Sequence, residues 1–180
     1  TEKRITDQSG YSIQPDTILN FSDVASELDI QMHNTMYKTK LLKNHKIKLD
    51  NGFYTDIEYV LLPLPFIKTI IYFNLPLYVY RVARAGQSMS KASMRKNAAQ
   101  HQLVLTRLVD EYKAIQPQLQ TETEKYLVRA IGRMANTELR VRLLKESDLS
   151  TKKANLRELF DWLKTYAGSD IYRAFLTGRK

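Results

Sequence analysis

From Met94 onward, apolar residues recur with helical spacing almost to the end of the chain. Met94, Ala98, His101, Leu105, Leu108, Tyr112 and Ile115 follow at alternating four- and three-residue steps, which puts them on one face of a long amphipathic helix. Pro117 ends it. Leu127, Ala130, Met134, Thr137, Val141 and Leu144 form a second stripe, with Arg129, Arg133, Arg140 and Arg142 largely off it. A third helix is predicted from Ser150 or Thr151, packing through Leu156, Leu159, Phe160 and Leu163 and stopping at Gly168. A short fourth, capped by Ser169 or Asp170, carries Ile171, Tyr172, Phe175 and Leu176. Residues 91–180 therefore read as a helical bundle.

The first half follows another pattern. Phe21-Ser22-Asp23 predicts a short helix through Val24, Asp29 to His33 alternates like a short strand, and Asn34 or Thr35 is set to cap a helix containing Met36, Tyr37, Leu41 and Leu42. Ile67-Lys-Thr-Ile-Ile-Tyr72 and Leu77-Tyr-Val-Tyr-Arg-Val82 are rich in β-branched and aromatic residues and predict two strands, with Pro76 at a strand start where no donor is needed. The expected architecture is an α/β portion over residues 1–90 followed by an all-α helical bundle over 91–180. Two or three strands make a thin sheet, so a further sheet is expected to pair with them.

Charge divides along the same line. The chain carries 28 Lys/Arg against 19 Asp/Glu, a net of +9, and residues 1–90 hold 10 against 9 while residues 91–180 hold 18 against 10. A basic half is drawn to anionic lipid, nucleic acid or acidic protein, though a solvated bundle surface accounts for it equally. With no cysteine, disulfides, thiolate metal sites and cysteine nucleophiles are excluded. His33, His45 and His101 stand too far apart to form a metal-binding pair at helical spacing. No run of eighteen apolar residues or signal-like segment occurs, and the opening Thr1-Glu-Lys-Arg4 suggests a piece of a longer protein.

A turn, a helix start and two carboxylates coincide in Asn51-Gly-Phe-Tyr-Thr-Asp-Ile-Glu-Tyr59. Asn51-Gly52 is a turn dipeptide, and Thr55 three residues before Glu58 reads as a capping box at the candidate site. Asp56 then lies in the first helical turn, either complementing the helix dipole or held as a base at the rim of a site. Asp56 and Glu58, two apart, point in different directions on a helix and do not converge on one atom or ion.

Three blocks carry a resemblance: Met32-His-Asn-Thr-Met-Tyr-Lys-Thr-Lys-Leu-Leu42, Gly52-Phe-Tyr-Thr-Asp-Ile-Glu-Tyr-Val-Leu-Leu-Pro-Leu-Pro65, and Pro76-Leu-Tyr-Val-Tyr-Arg-Val-Ala-Arg-Ala-Gly-Gln-Ser-Met-Ser90. In this order they resemble the C-terminal part of bacterial family 2 glycosyltransferases, GT-A fold enzymes of surface polysaccharide assembly. The resemblance spans about residues 20–95. It implies inverting transfer of a sugar from a nucleotide sugar to a hydroxyl of a saccharide or lipid-linked acceptor, with Asp56 as the general base. It also implies that His33 borders the acceptor or phosphate region and that Arg84, Gln87 and Ser88 hold donor phosphates or acceptor. As plain structure, His33 would end a strand, and Gln87 and Ser88 would form a loop and cap a helix.

The family's donor half binds a divalent ion, Mn or Mg, through an Asp-x-Asp motif, and this sequence contains none. The resemblance thus implies a fragment without metal ligands, inactive alone, from a cytoplasmic enzyme at the inner face of the membrane. Residues 91–180 would supply a surface for anionic lipid, and the helices a homodimer contact. The competing expectation is a non-enzymatic basic helical scaffold or nucleic-acid-binding module. Against it, no nucleic-acid motif is present, and the arginines are interleaved with Glu122, Glu124, Glu138 and Glu146.

Overall fold

The computed structural model describes residues 13–79, 90–145 and 148–178. In chain order these form β1 (Ile18–Asn20), α1 (Phe21–Val24), α2 (Thr39–Asn44), α3 (Thr55–Leu61), β2 (Thr69–Ile71), α4 (Lys91–Lys96), α5 (Ala98–Ile115), α6 (Thr121–Lys145), α7 (Leu149–Trp162) and α8 (Ser169–Thr177). Short 3-10 turns occupy Ala25–Glu27, Met32–Asn34, Leu64–Phe66 and Gln116–Gln118.

The helical periodicity largely becomes the core, although Ala130, Thr137 and Leu144 of the second stripe are only half-buried and Ile131, outside it, is buried. From α5, His101, Leu105, Leu108 and Tyr112 are buried; from α6, Leu127, Ile131, Met134 and Val141; from α7 and α8, Leu159, Ile171 and Phe175. The longest helix, α6, is central and packs against α1, α4, α5, α7 and α8. Its Gly132 lets α8 approach closely, because a Cβ there would stand 2.8 Å from Ala174 Cβ and 2.9 Å from the Ala174 carbonyl carbon. Phe21, Ala25, Tyr54, Val60, Leu61 and Leu64 join the same apolar cluster, so one core runs across residue 90.

The helix ends differ in detail from expectation. Asn97 separates α4 from α5, so the long stripe is carried by two helices, and the Ser90 hydroxyl caps α4 by accepting from the Ser93 N–H at 3.2 Å. The cap of α7 is Asp148, whose carboxylate accepts from the Thr151 N–H at 2.8 Å and from the hydroxyls of Ser150 and Thr151. The segment ends, as expected, at Gly168, whose φ of 96° favours glycine. Gly168 also precedes α8, which has no side-chain cap from Ser169 or Asp170. The helix after Asn34 starts only at Thr39, without a side-chain cap, and the Asp29–His33 segment ends in a 3-10 turn.

The α/β expectation for the first half is overturned. The only sheet among the described residues is the antiparallel pair β1–β2, with Ile18 opposite Ile71 and Asn20 opposite Thr69. Residues around Ile67 to Tyr72 therefore pair backward with Ile18–Asn20, not forward with Leu77 to Val79. Pro76 offers no donor, and its neighbours bond locally, Leu75 N–H to Phe73 C=O and Leu77 N–H to Leu75 C=O, both at 2.9 Å. Through Val79 no ladder forms, and the rest of that predicted strand lies outside the described residues. The described protein is mainly a helical bundle with short N-terminal helices laid on it.

Two outcomes follow from these contacts. Gly132→Val should destabilise the fold by about 1–3 kcal/mol in urea denaturation, since α8 must shift to admit the side chain. Hydrogen bonds from the Ser150 hydroxyl and from Thr151 lower the Asp148 carboxyl to about 2 from its ordinary 3.8. The ionised cap therefore stabilises α7 fully above the ordinary value and less as pH falls toward about 2. Acid titration of wild type against Asp148→Asn should show that difference.

Candidate functional site

The loop before α3 and the first turn of α3 form the candidate site, and α5 holds both. Glu58 is fully buried at the helix start. Its spacing from Leu61 and Leu62, three and four residues, puts it on the face that α3 turns into the core. A carboxylate there needs partners, and it has two: Arg107 Nη1 of α5 at 2.6 Å and the Asp50 backbone N–H at 2.8 Å. Arg107 also donates to the Asp50 carboxylate at 3.0 Å and to the Lys48 carbonyl at 2.8 Å. One guanidinium thus ties residues 48–50 and α3 to α5.

Further along α5, Gln100 and His101 hold the next part of the loop. The Gln100 side-chain oxygen accepts from the Phe53 N–H at 3.0 Å, and its amide lies over Gly52, where a Cβ would collide with it. Tyr54 precedes the helix with φ of 68°, a left-handed conformation uncommon for a bulky residue. Its ring is buried and packs edge-on against His101, with centroids 4.8 Å apart. The burial of the ring fixes the strained backbone.

Behind Tyr54 lies a second buried polar group. His101 Nδ1 is 2.7 Å from Glu138 Oε2, and a carboxylate can only accept, so Nδ1 carries the proton. Arg142 Nε donates to the other Glu138 oxygen at 2.9 Å, and Arg142 Nη1 to the Asn155 carbonyl at 3.0 Å. His101 Nε2 and Tyr54 Oη are buried without hydrogen-bond partners among the described residues. Burial first, then the charges of Glu138 and Asp56, raises the Tyr54 phenol above its usual value.

Asp56 has the opposite environment from Glu58. It is exposed in the first turn of α3, and its side chain makes no hydrogen bond or ion pair among the described residues. The expected capping box is replaced by other contacts. Thr55 is the first helical residue, its hydroxyl donates to the Gly52 carbonyl at 3.4 Å, and Glu58 turns inward to Arg107. His33 sits in the 3-10 turn Met32–Asn34, which packs against α3 and is followed by Thr35, whose carbonyl accepts from Tyr59 Oη at 3.2 Å. The His33 ring stacks on Tyr78 at 4.9 Å. Arg84, Gln87 and Ser88 lie outside the described residues.

Asp56 lines neither the cavity of about 100 Å³ beside Arg107, Leu108 and Phe66 nor the open groove along Gln102, Thr106 and Asp110. Among the described residues, no three His, Cys, Asp or Glu side chains converge on a point where a metal ion could bind. Arg107, Gln100 and Glu138 were not singled out as site residues from sequence. Their one legible signal was Glu58, a charged residue at apolar spacing that requires a cationic or donor partner from another element.

Removing one member of the buried cluster should expose the difference between the two carboxylates. Arg107→Met leaves Glu58 buried with only the Asp50 N–H and should cost about 2–4 kcal/mol in denaturant unfolding. Asp56→Asn should change stability by no more than about 1 kcal/mol. No family model, curated protein or solved structure matches this chain.

Proposed function

We propose that the chain carries the acceptor-activating part of an inverting glycosyltransferase, with Asp56 as the general base. The observation supporting this reading is the opposite placement of two carboxylates on one helix turn. Glu58 is committed to Arg107 and Asp50, while Asp56 faces solvent with no partner among the described residues. The strained Tyr54 and the α5 contacts fix the loop that presents it. A base must be positioned and unoccupied before substrate arrives, and Asp56 meets both conditions.

In the proposed reaction, an Asp56 oxygen takes the proton of the acceptor hydroxyl as the hydroxyl oxygen bonds to the anomeric carbon. The nucleoside diphosphate leaves with the bonding pair, and the configuration at the anomeric carbon inverts. His33, on the turn packed against α3, is assigned to the acceptor border, and Arg84, Gln87 and Ser88 to phosphate or acceptor. The groups that bind the nucleotide sugar and its Mn or Mg ion are assigned outside these 180 residues. The chain alone is accordingly inactive, and the reaction is placed at the cytoplasmic face of the membrane, on a saccharide or lipid-linked acceptor.

The test uses the complete gene product with a panel of nucleotide sugars and membrane-extracted acceptor. Asp56→Asn should lower kcat by about 10²–10⁴-fold while the Kd for the nucleotide sugar stays within about twofold. Turnover retained in that variant would reduce Asp56 to a helix-start residue.

A further inference from the structure

One end of the bundle carries cationic side chains on three helices, with an exposed leucine on two of them. There α4 packs on the last turns of α6 through Met94, Ala98, Val141 and Leu144, and Arg95 Nε donates to the Leu144 carbonyl. The start of α7 joins them, because α7 follows α6 after a short connection and Arg142 of α6 bonds Asn155 and Glu158 of α7. Lys91, Arg95 and Lys96 of α4, Arg140 of α6 and Lys153 of α7 are exposed there, with Lys152 half-buried. None of these six cations forms an ion pair with a described residue.

The acidic groups described at this end are already engaged. Asp148 is taken up by Ser150 and Thr151, and Glu158 and Glu138 by Arg142. Among the described residues the local excess of positive charge is therefore uncompensated, unlike that of Arg107, which meets two carboxylates. The same helix segments carry Leu149, 65% exposed in the first turn of α7, and Leu143, 40% exposed near the end of α6. Long basic side chains around protruding leucines suit an interface with anionic headgroups outside and acyl chains beneath. They suit a nucleic acid less well, since no exposed aromatic ring is described on these helix ends for bases to stack on.

We infer that this end of the bundle, formed by α4, the last turns of α6 and the start of α7, is a docking surface for an anionic lipid membrane. The lysines and arginines meet the headgroups, and Leu149 and Leu143 enter the interfacial layer. No membrane-spanning element is involved, since among the described residues no helix is long and apolar enough to cross a bilayer. The inference does not depend on glycosyl transfer.

The test is co-sedimentation of the 180-residue chain with phosphatidylcholine vesicles, with and without phosphatidylglycerol, at low and high salt. Uptake should require phosphatidylglycerol and fall as salt rises. Lys152→Gln/Lys153→Gln should weaken partitioning about 30-fold, and Leu149→Ser about tenfold, with helical circular dichroism unchanged. Lys38→Gln/Lys40→Gln, near the start of α2, removes the same charge elsewhere and should change partitioning by less than about threefold. Three results would overturn the inference: no uptake on phosphatidylglycerol at low salt, equal loss from both double variants, or steeply salt-dependent binding of RNA or DNA in place of vesicle uptake.

Discussion

The fully buried Glu58 carboxylate and the guanidinium of Arg107 connect the parts of this molecule. Glu58 belongs to a helix of seven residues, too short to hold its shape alone, and Arg107 to one of eighteen. Their 2.6 Å contact gives the short helix a fixed seat on the long one. Because Arg107 also reaches Asp50 and the Lys48 carbonyl, the chain entering α3 is fixed along with the helix. A hydrophobic pair of the same size could be as stable, but it would not bind a backbone N–H and a carbonyl in the same step. What the ionic cluster adds is a defined path for residues 48–58.

The bundle was largely legible in the sequence. The stripe from Met94 to Ile115, Pro117 as a stop and Gly168 as an end residue all report local rules, and local rules govern long helices. Even the burial of His101 follows from its place in that stripe. The first half was not legible in this way. Ile67 to Tyr72 has the composition of a strand, yet which segment it pairs with is a matter of tertiary contact, and Ile18–Asn20 gave no periodic signal over three residues. The capping box failed for a related reason. Thr55 and Glu58 have the right spacing, but the half-buried Arg107 competes for the carboxylate more strongly than a backbone amide does. Asp56 was recognisable as a candidate, whereas its supports Gln100, His101 and Arg107 lie about fifty residues away and leave no local trace.

The two buried polar groups along α5 also divide the work of order and strain. Glu58–Arg107 is satisfied on every side shown, whereas His101 Nε2 and Tyr54 Oη are not, and Tyr54 holds a left-handed backbone next to them. Unmade hydrogen bonds and a disfavoured φ each raise the local free energy by a few kcal/mol at most, and the apolar cluster around them holds the arrangement in place. The stored cost therefore sits on Tyr54, two residues before Asp56, and on His101, where α5 meets α6.

The unpaired edge after β2 bears on how the molecules behave toward one another. From Thr69 to Val79 there is no charged residue, and Leu77 and Val79 are 74% and 75% exposed, beyond local backbone bonds from Leu75 N–H to Phe73 C=O and from Leu77 N–H to Leu75 C=O. Such an edge invites a second strand, and natural proteins usually guard one with lysine or a bulge. Here the guard is collective: a net charge of +9 makes every encounter between two copies repulsive at long range. That repulsion reaches only about 10 Å at 0.1 M salt and less above it. Colloidal stability in this protein is thus set by ionic strength, with dilute buffer keeping the sticky edges apart and concentrated salt allowing them to meet.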